Sequence, residues 1–222
     1  MDKNKAALKG FFITGSDTGV GKTWISCQLV KQLKQSVPSL KVRKPVESGC
    51  SKSTDNQLVP ADGTALFEAN DCSESLQLVT PFRFKAAVSP DRAANLENKN
   101  IYLSNLHQAV VDNVQTEDLI LVEGAGGFYS PIAQDGLNAD LAKLLMLDII
   151  VVIEDRLGAI NQSLLTIKSI ESEGLVIKAI ILNQLNNNLP AELNNSADLK
   201  KRTHYPIYHC TYNGLVSTID LL

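Results

Sequence analysis

The sequence of 222 residues contains no C-x-x-C pair, and its four cysteines, Cys27, Cys50, Cys72 and Cys210, are scattered. That scatter does not suit a disulfide framework, so free thiols in a reducing cytosol are expected. Cys210 stands near His204 and His209, yet no second ligand pair has suitable spacing for zinc. The three histidines fall in no Ser–His–Asp or Cys–His arrangement, which leaves enzyme-borne covalent catalysis without a candidate. No segment approaches the ~20 apolar residues of a membrane span. Residues 1–5, Met-Asp-Lys-Asn-Lys, lack the apolar core of a signal peptide. Charge of one sign is not in excess: a net charge of −3 gives no push toward nucleic acid or an anionic membrane. The short run Lys200-Lys201-Arg202 reads as a solvated helix face. These absences leave the expectation of a soluble, cytoplasmic chain with no nucleic-acid and no membrane partner.

What is present is an ordinary globular composition, 44 % hydrophobic and 20 % charged, long enough to bury a sizeable core. Apolar runs alternate with helix-period segments, the pattern of βαβ units and a mostly parallel sheet. Strands are expected near 10–14, 40–44, 119–122, 148–153, 176–182 and 206–209. Helices are expected over about 22–36, with Ile25, Leu29 and Leu33 inward, and over about 103–115, 138–146 and 160–173. Gly174 would cap the last of these, and Asp62 could cap a helix through Ala65, Leu66 and Phe67. The polar stretch 50–61 reads as loop, and 71–100 as loop with a short helix. An Asn-rich mobile loop is expected over 183–195, a weak helix near 190–201 and a final helix near 213–221. No internal repeat or linker divides the chain. The expectation is one doubly wound α/β domain over residues 1–222, a mostly parallel sheet flanked by helices.

Residues 15–23 read Gly-Ser-Asp-Thr-Gly-Val-Gly-Lys-Thr, between a strand-like run (Phe11, Phe12, Ile13) and an amphipathic helix. Glycines at 15, 19 and 21 let backbone N–H groups approach phosphate oxygens, and the helix start adds free amides and the positive end of its dipole. Lys22 can reach β- and γ-phosphates, and the Thr23 hydroxyl can ligate Mg²⁺. Ser16 occupies the position where the common pattern has its first glycine, with Gly15 one residue upstream. This is a phosphate-binding loop, and it predicts a fold of the P-loop NTPase type.

Ligands of such sheets collect at the carboxyl ends of the strands. Three further polar clusters fall there: Lys44-Pro45-Val46-Glu47-Ser48-Gly49, Glu123-Gly124-Ala125-Gly126-Gly127, and Asn183. Glu123, directly after four apolar residues and beside a nucleotide, stands where a Mg²⁺ ligand belongs. By position alone Lys44 reads equally as a surface lysine, Asp62 as a helix cap and Asn183 as a turn residue whose amide could read an adenine edge.

Taken together these clusters resemble the dethiobiotin synthetase family. The resemblance runs from residue 11 to about 183 and is strongest at Gly15–Thr23, Lys44–Gly49, Val122–Gly127 and Leu157-Gly158-Ala159-Ile160-Asn161. It implies a homodimer that binds ATP, Mg²⁺, 7,8-diaminononanoate (7,8-diaminopelargonate) and CO₂ or bicarbonate. One amine becomes a carbamate, the carbamate attacks the γ-phosphate, and the second amine displaces phosphate to close a cyclic urea. Carried over by motif, the loop Asp17, Thr18, Gly19, Val20, Gly21, Lys22 and Thr23 would hold the nucleotide. Lys22 would neutralise the transferring phosphoryl group, and Thr23, Asp62 and Glu123 would hold Mg²⁺. Lys44, Thr18 and Ser48 would hold the carbamate, and Asn183 would contact adenine. Gly158, Ala159 and Asn161 would come from the neighbouring subunit to grip the substrate's carboxylate tail, placing the active site at the interface.

Two positions depart from the family pattern: Gly19 stands where several members carry Glu, and Asp91 where members often have His after a Ser-Pro pair. Partition and cell-division ATPases are the rival reading. They place a second lysine five residues before the loop lysine, and here that residue is Asp17. The basic amphipathic tail of their membrane-targeted members is also missing, since residues 214–222 carry no Lys or Arg.

Overall fold

The computed structural model describes residues 8–217 together with 219 and 221; residues 1–5, read above for a signal peptide, lie outside that set. Six apolar segments form the central sheet: β1 (Lys9–Gly15), β2 (Leu40–Arg43), β3 (Leu119–Glu123), β4 (Asp148–Glu154), β5 (Ile177–Asn183) and β6 (Ile207–Cys210). Their order is β6-β5-β4-β1-β3-β2, and every neighbouring pair is parallel. Strands covered on both faces read as continuous apolar runs, and Ile149 to Ile153 are accordingly all fully buried. Chain connections leave β1 toward β2 on one side and return to β4 on the other. The carboxyl end of β1 is therefore the switch point at which such sheets open a crevice.

Eight helices are described: α1 (Lys22–Leu33), α2 (Ala61–Ala69), α3 (Leu76–Val79), α4 (Pro90–Leu96), α5 (Leu103–Val111), α6 (Asn138–Leu145), α7 (Ala159–Ser172) and α8 (Asn195–Lys200). On one face of the sheet, Phe11 and Ile13 of β1 cluster with Ile25, Leu29 and Leu33 of α1 and Leu66 of α2. On the other, Phe12 clusters with Leu106 of α5, Leu141 of α6 and Ile167 of α7. Gly174 follows α7 with φ 72°, the left-handed conformation that ends helices.

Several expectations are corrected. The stretch 50–61 is not all loop, because Ser51–Lys52 and Leu58–Val59 pair as a short antiparallel ribbon. The segment 71–100 holds two short helices, α3 and α4. Asp62 does not cap α2: the helix begins at Ala61 behind Pro60, and Asp62 sits inside its first turn. No helix forms at the described residues of 213–221. Gln28 and Gln32, four apart on α1, explain this. Their amide nitrogens donate to the carbonyls of Gly214 and Val216, and their oxygens accept from the N–H groups of Val216 and Ile219. Backbone groups that a helix would pair internally are satisfied by side chains instead, and Val216, Ile219 and Leu221 bury on the α1 face.

At the end of β2, alternation sends neighbouring cations to different partners. Fully buried Arg43 binds both oxygens of Glu74, at 2.7 and 3.2 Å, and the Asp112 carbonyl at 2.7 Å. Lys44, the next residue, reaches the crevice. Arg43→Met is expected to leave Glu74 buried with only Lys41, 3.6 Å away, as an ionic partner. Stability should fall by about 3 kcal/mol or more, read as a lower urea midpoint at unchanged slope.

Candidate active site

The phosphate loop hangs between β1 and α1. Gly21 takes φ 88° immediately before α1, and no side chain caps that helix end, so its first amides stay available to an anion. A side chain at 21 is excluded by a close approach: a Cβ there would stand 2.1 Å from Asn183 Nδ2. Asn183, at the end of β5, is buried and donates to the Val20 carbonyl at 3.0 Å, which ties the loop to the sheet. Asp17 shapes the loop from within, its carboxylate accepting from the Thr18 N–H at 2.7 Å.

Lys22 is held inside this loop, its ammonium donating to the Asp17 carbonyl at 2.9 Å. Burial and the positive charge of Lys44 lower its pKa from 10.5 to about 8. A cation so destabilised gains most from an arriving phosphate.

Lys44 lies at the centre of the site. Its Nζ is 2.7 Å from Glu123 Oε1, 3.0 Å from Asp62 Oδ2 and 3.1 Å from the Gly124 carbonyl. Burial alone would pull its pKa down, but the two carboxylates outweigh burial and hold it above the usual lysine range. Asp62 shows the mirror image: burial raises it most, but the charge and hydrogen bond of Lys44, with the Thr23 hydroxyl and the Lys22 charge, together outweigh burial, and it ends below its ordinary value. Thr23 completes the group by donating from its hydroxyl to Glu123 Oε1 at 2.8 Å.

Two carboxylates thus converge on one ammonium, and the Thr23 hydroxyl joins them through Glu123. The donor set fits a hard divalent cation, and the second oxygen of buried Glu123, Oε2, has no hydrogen-bond partner. Among the described residues no group of three or more His, Cys, Asp or Glu could hold a metal alone. A cation here would therefore draw its remaining oxygens from phosphate and water, as Mg²⁺ does in nucleotide sites.

A cavity of about 660 Å³ opens over this cluster, lined among others by Thr18, Gly19, Gly21, Lys22, Thr23, Lys44, Ser48 and Asp62. Ser48 donates to the Val88 carbonyl at 2.6 Å. Val20 of the loop and Glu123 are both buried. Gly158, Ala159 and Asn161 sit elsewhere, at the start of α7, and do not line the cavity; Gly158 and Asn161 are exposed.

Two residues were given no role by sequence reasoning. Glu47 lines the cavity and accepts from the backbone N–H groups of Asp62 and Gly63 at 3.1 and 2.9 Å. Burial raises its pKa despite those two bonds. Its place in the Lys44–Gly49 run was the available signal. Buried Asn138 pins the glycine loop after Glu123, donating to the Ala125 and Gly127 carbonyls at 2.6 and 2.8 Å and accepting from the Ala125 N–H at 3.2 Å. No local pattern announces that role.

A family model described as an AAA domain matches residues 9–210. The ATP-dependent dethiobiotin synthetase BioD of Ruthia magnifica is 36 % identical over 210 residues, covering 95 % of this chain and 94 % of that protein. That of Bacillus subtilis is 38 % identical over 176 residues, covering 79 % and 74 %. The chain belongs to the dethiobiotin synthetase family. Among solved structures, the cell division protein FtsY of Thermotoga maritima matches with a TM-score of 0.54 at 13 % identity, over 99 % of this chain and 69 % of that one. The MinC:MinD complex of Aquifex aeolicus gives 0.52 at 13 %, over 91 % and 81 %. These likenesses establish that this dethiobiotin synthetase family member has the P-loop NTPase fold. No described helix is long and apolar enough to cross a membrane.

Proposed function

We propose that the chain is a cytoplasmic ATP-dependent dethiobiotin synthetase, acting as one catalytic unit over its length and converting 7,8-diaminononanoate, CO₂ and ATP to dethiobiotin, ADP and phosphate. The observation that carries this reading is the placement of Lys44 beside Glu123, Asp62 and the loop that holds Lys22. A carbamate and a triphosphate are both anions, and two unit charges ~4 Å apart repel by about 4 kcal/mol at an effective dielectric of 20. Lysines at 22 and 44 offset that repulsion from two sides and orient the carbamate oxygen toward the γ-phosphorus. Thr18 and Ser48 line the same cavity and would hold the carbamate with Lys44. Asn183 stands beside the loop at the end of β5, where an adenine would lie.

Thr23, Asp62 and Glu123 would hold Mg²⁺, which when bound supplies charge neutralisation on the phosphate oxygens. The diamine's tail would be gripped across a homodimer. Supporting this are the exposed Gly158 and Asn161 and their neighbour Leu157, an apolar side chain 80 % exposed.

The test is ADP release measured with the diamine and bicarbonate each omitted in turn. Both are expected to be required. Steady ADP release with either one missing would contradict the proposal.

A further inference from the structure

Helix α2 carries Asp62 into the site, yet the helix has no cap of its own. Pro60 stands at the capping position and offers no side-chain acceptor. The N–H groups of Asp62 and Gly63 are instead bound by the carboxylate of Glu47, one to each oxygen, at 3.1 and 2.9 Å. Glu47 comes from a separate element: Val46–Glu47 pairs in parallel with Phe82–Arg83 outside the central sheet. Three residues upstream on the same run is Lys44, whose ammonium holds the Asp62 carboxylate at 3.0 Å. One short segment therefore grips Asp62 twice, by its backbone through Glu47 and by its side chain through Lys44.

We infer that Glu47 is a positioning residue that fixes the Asp62 carboxylate for the divalent cation. The inference rests on the metal assignment of the proposed function and deepens it. Glu47 is 6 % exposed, and both of its oxygens are engaged by backbone amides, so it acts through Asp62 and not on substrate. Its negative charge also faces the N-terminal end of a nine-residue helix, where the helix field favours an anion. An amide at this position can accept from only one of the two N–H groups and turns an NH₂ toward the other. The first turn of α2 would then shift, and Asp62 with it.

The test is a double-mutant cycle on metal binding: Glu47→Gln, Asp62→Ala and the pair, each titrated with Mg²⁺ in the presence of ADP by calorimetry. Metal-free ADP binding is followed alongside. Glu47→Gln is expected to weaken Mg²⁺ binding by roughly tenfold, the usual scale for a residue that orients a ligand. Metal-free ADP affinity should not move, and in the Asp62→Ala background Glu47→Gln should have no further effect on Mg²⁺. An unchanged Mg²⁺ titration in Glu47→Gln would overturn the inference. So would an equal weakening in both backgrounds, which a general loss of structure produces. If Asp62→Ala itself leaves Mg²⁺ binding unmoved, the metal assignment of the proposed function fails, a distinct result.

Discussion

Replacing Lys44 by methionine is expected to abolish turnover while Mg²⁺ binds at least as tightly as in the parent chain. The Lys44 ammonium sits between two of the three groups assigned to the metal, within 3.0 Å of oxygens on both Glu123 and Asp62. It therefore competes with a divalent cation for the same carboxylates. Removing it deletes the charge opposing carbamate and γ-phosphate, and a loss of about 10³-fold in turnover is expected from one such electrostatic group. Removing it also takes from fully buried Glu123 the ammonium that pairs with it at 2.7 Å. In EDTA the variant should lose about 3 kcal/mol, or roughly 6–12 °C in melting temperature. Saturating Mg²⁺ should restore much of that loss, because the metal replaces the missing charge. Calorimetric Mg²⁺ titration in the presence of ADP, with melting curves in EDTA and in Mg²⁺, checks both halves. Weaker Mg²⁺ binding in Lys44→Met would place the metal elsewhere.

The second large effect is expected at Glu123. Glu123→Gln preserves size and removes one charge from the point where Thr23 and Lys44 meet and where the proposed cation would bind. Turnover should fall by about 10³-fold, and the Mg²⁺ midpoint should rise at least roughly tenfold, since a proposed metal ligand would be lost. Stability should change little, because Lys44 keeps Asp62 and the Gly124 carbonyl as partners. Lys44→Met is thus expected to keep or raise Mg²⁺ affinity and Glu123→Gln to lower it, while both silence the enzyme. General damage to the cavity would move both the same way.

Much of this was legible in the sequence because it is local. Strand β1, the loop 15–23 and the first turns of α1 are consecutive residues, and their glycines and apolar spacing carry the geometry. Glu123 was legible for the same reason, as a carboxylate closing an apolar run. Asp62 was read as a cap because capping is a local rule. Its helix is capped instead by Glu47, which lies 15 residues upstream and is brought close by the short ribbon with Phe82–Arg83. The failure at 213–221 has the same origin. Its backbone is satisfied by Gln28 and Gln32, more than 180 residues earlier in the chain. Asn138 is a third case: an ordinary residue at the start of α6 whose partners are carbonyls of a loop that only the folded sheet brings near. Local rules cannot see donors supplied from across the molecule.

The central claim is that a carbamate oxygen, steadied by Lys44, attacks the γ-phosphorus. In that route the bridging oxygen originates in CO₂ and departs with phosphate when the second amine closes the ring, while the other oxygen stays in the urea carbonyl. A rapid single turnover with doubly ¹⁸O-labelled CO₂, before exchange with water, measures this directly by mass spectrometry. The expected result is one labelled oxygen in the released phosphate and one in the product. Unlabelled phosphate alongside a labelled product would contradict the attack of a carbamate on ATP at this site.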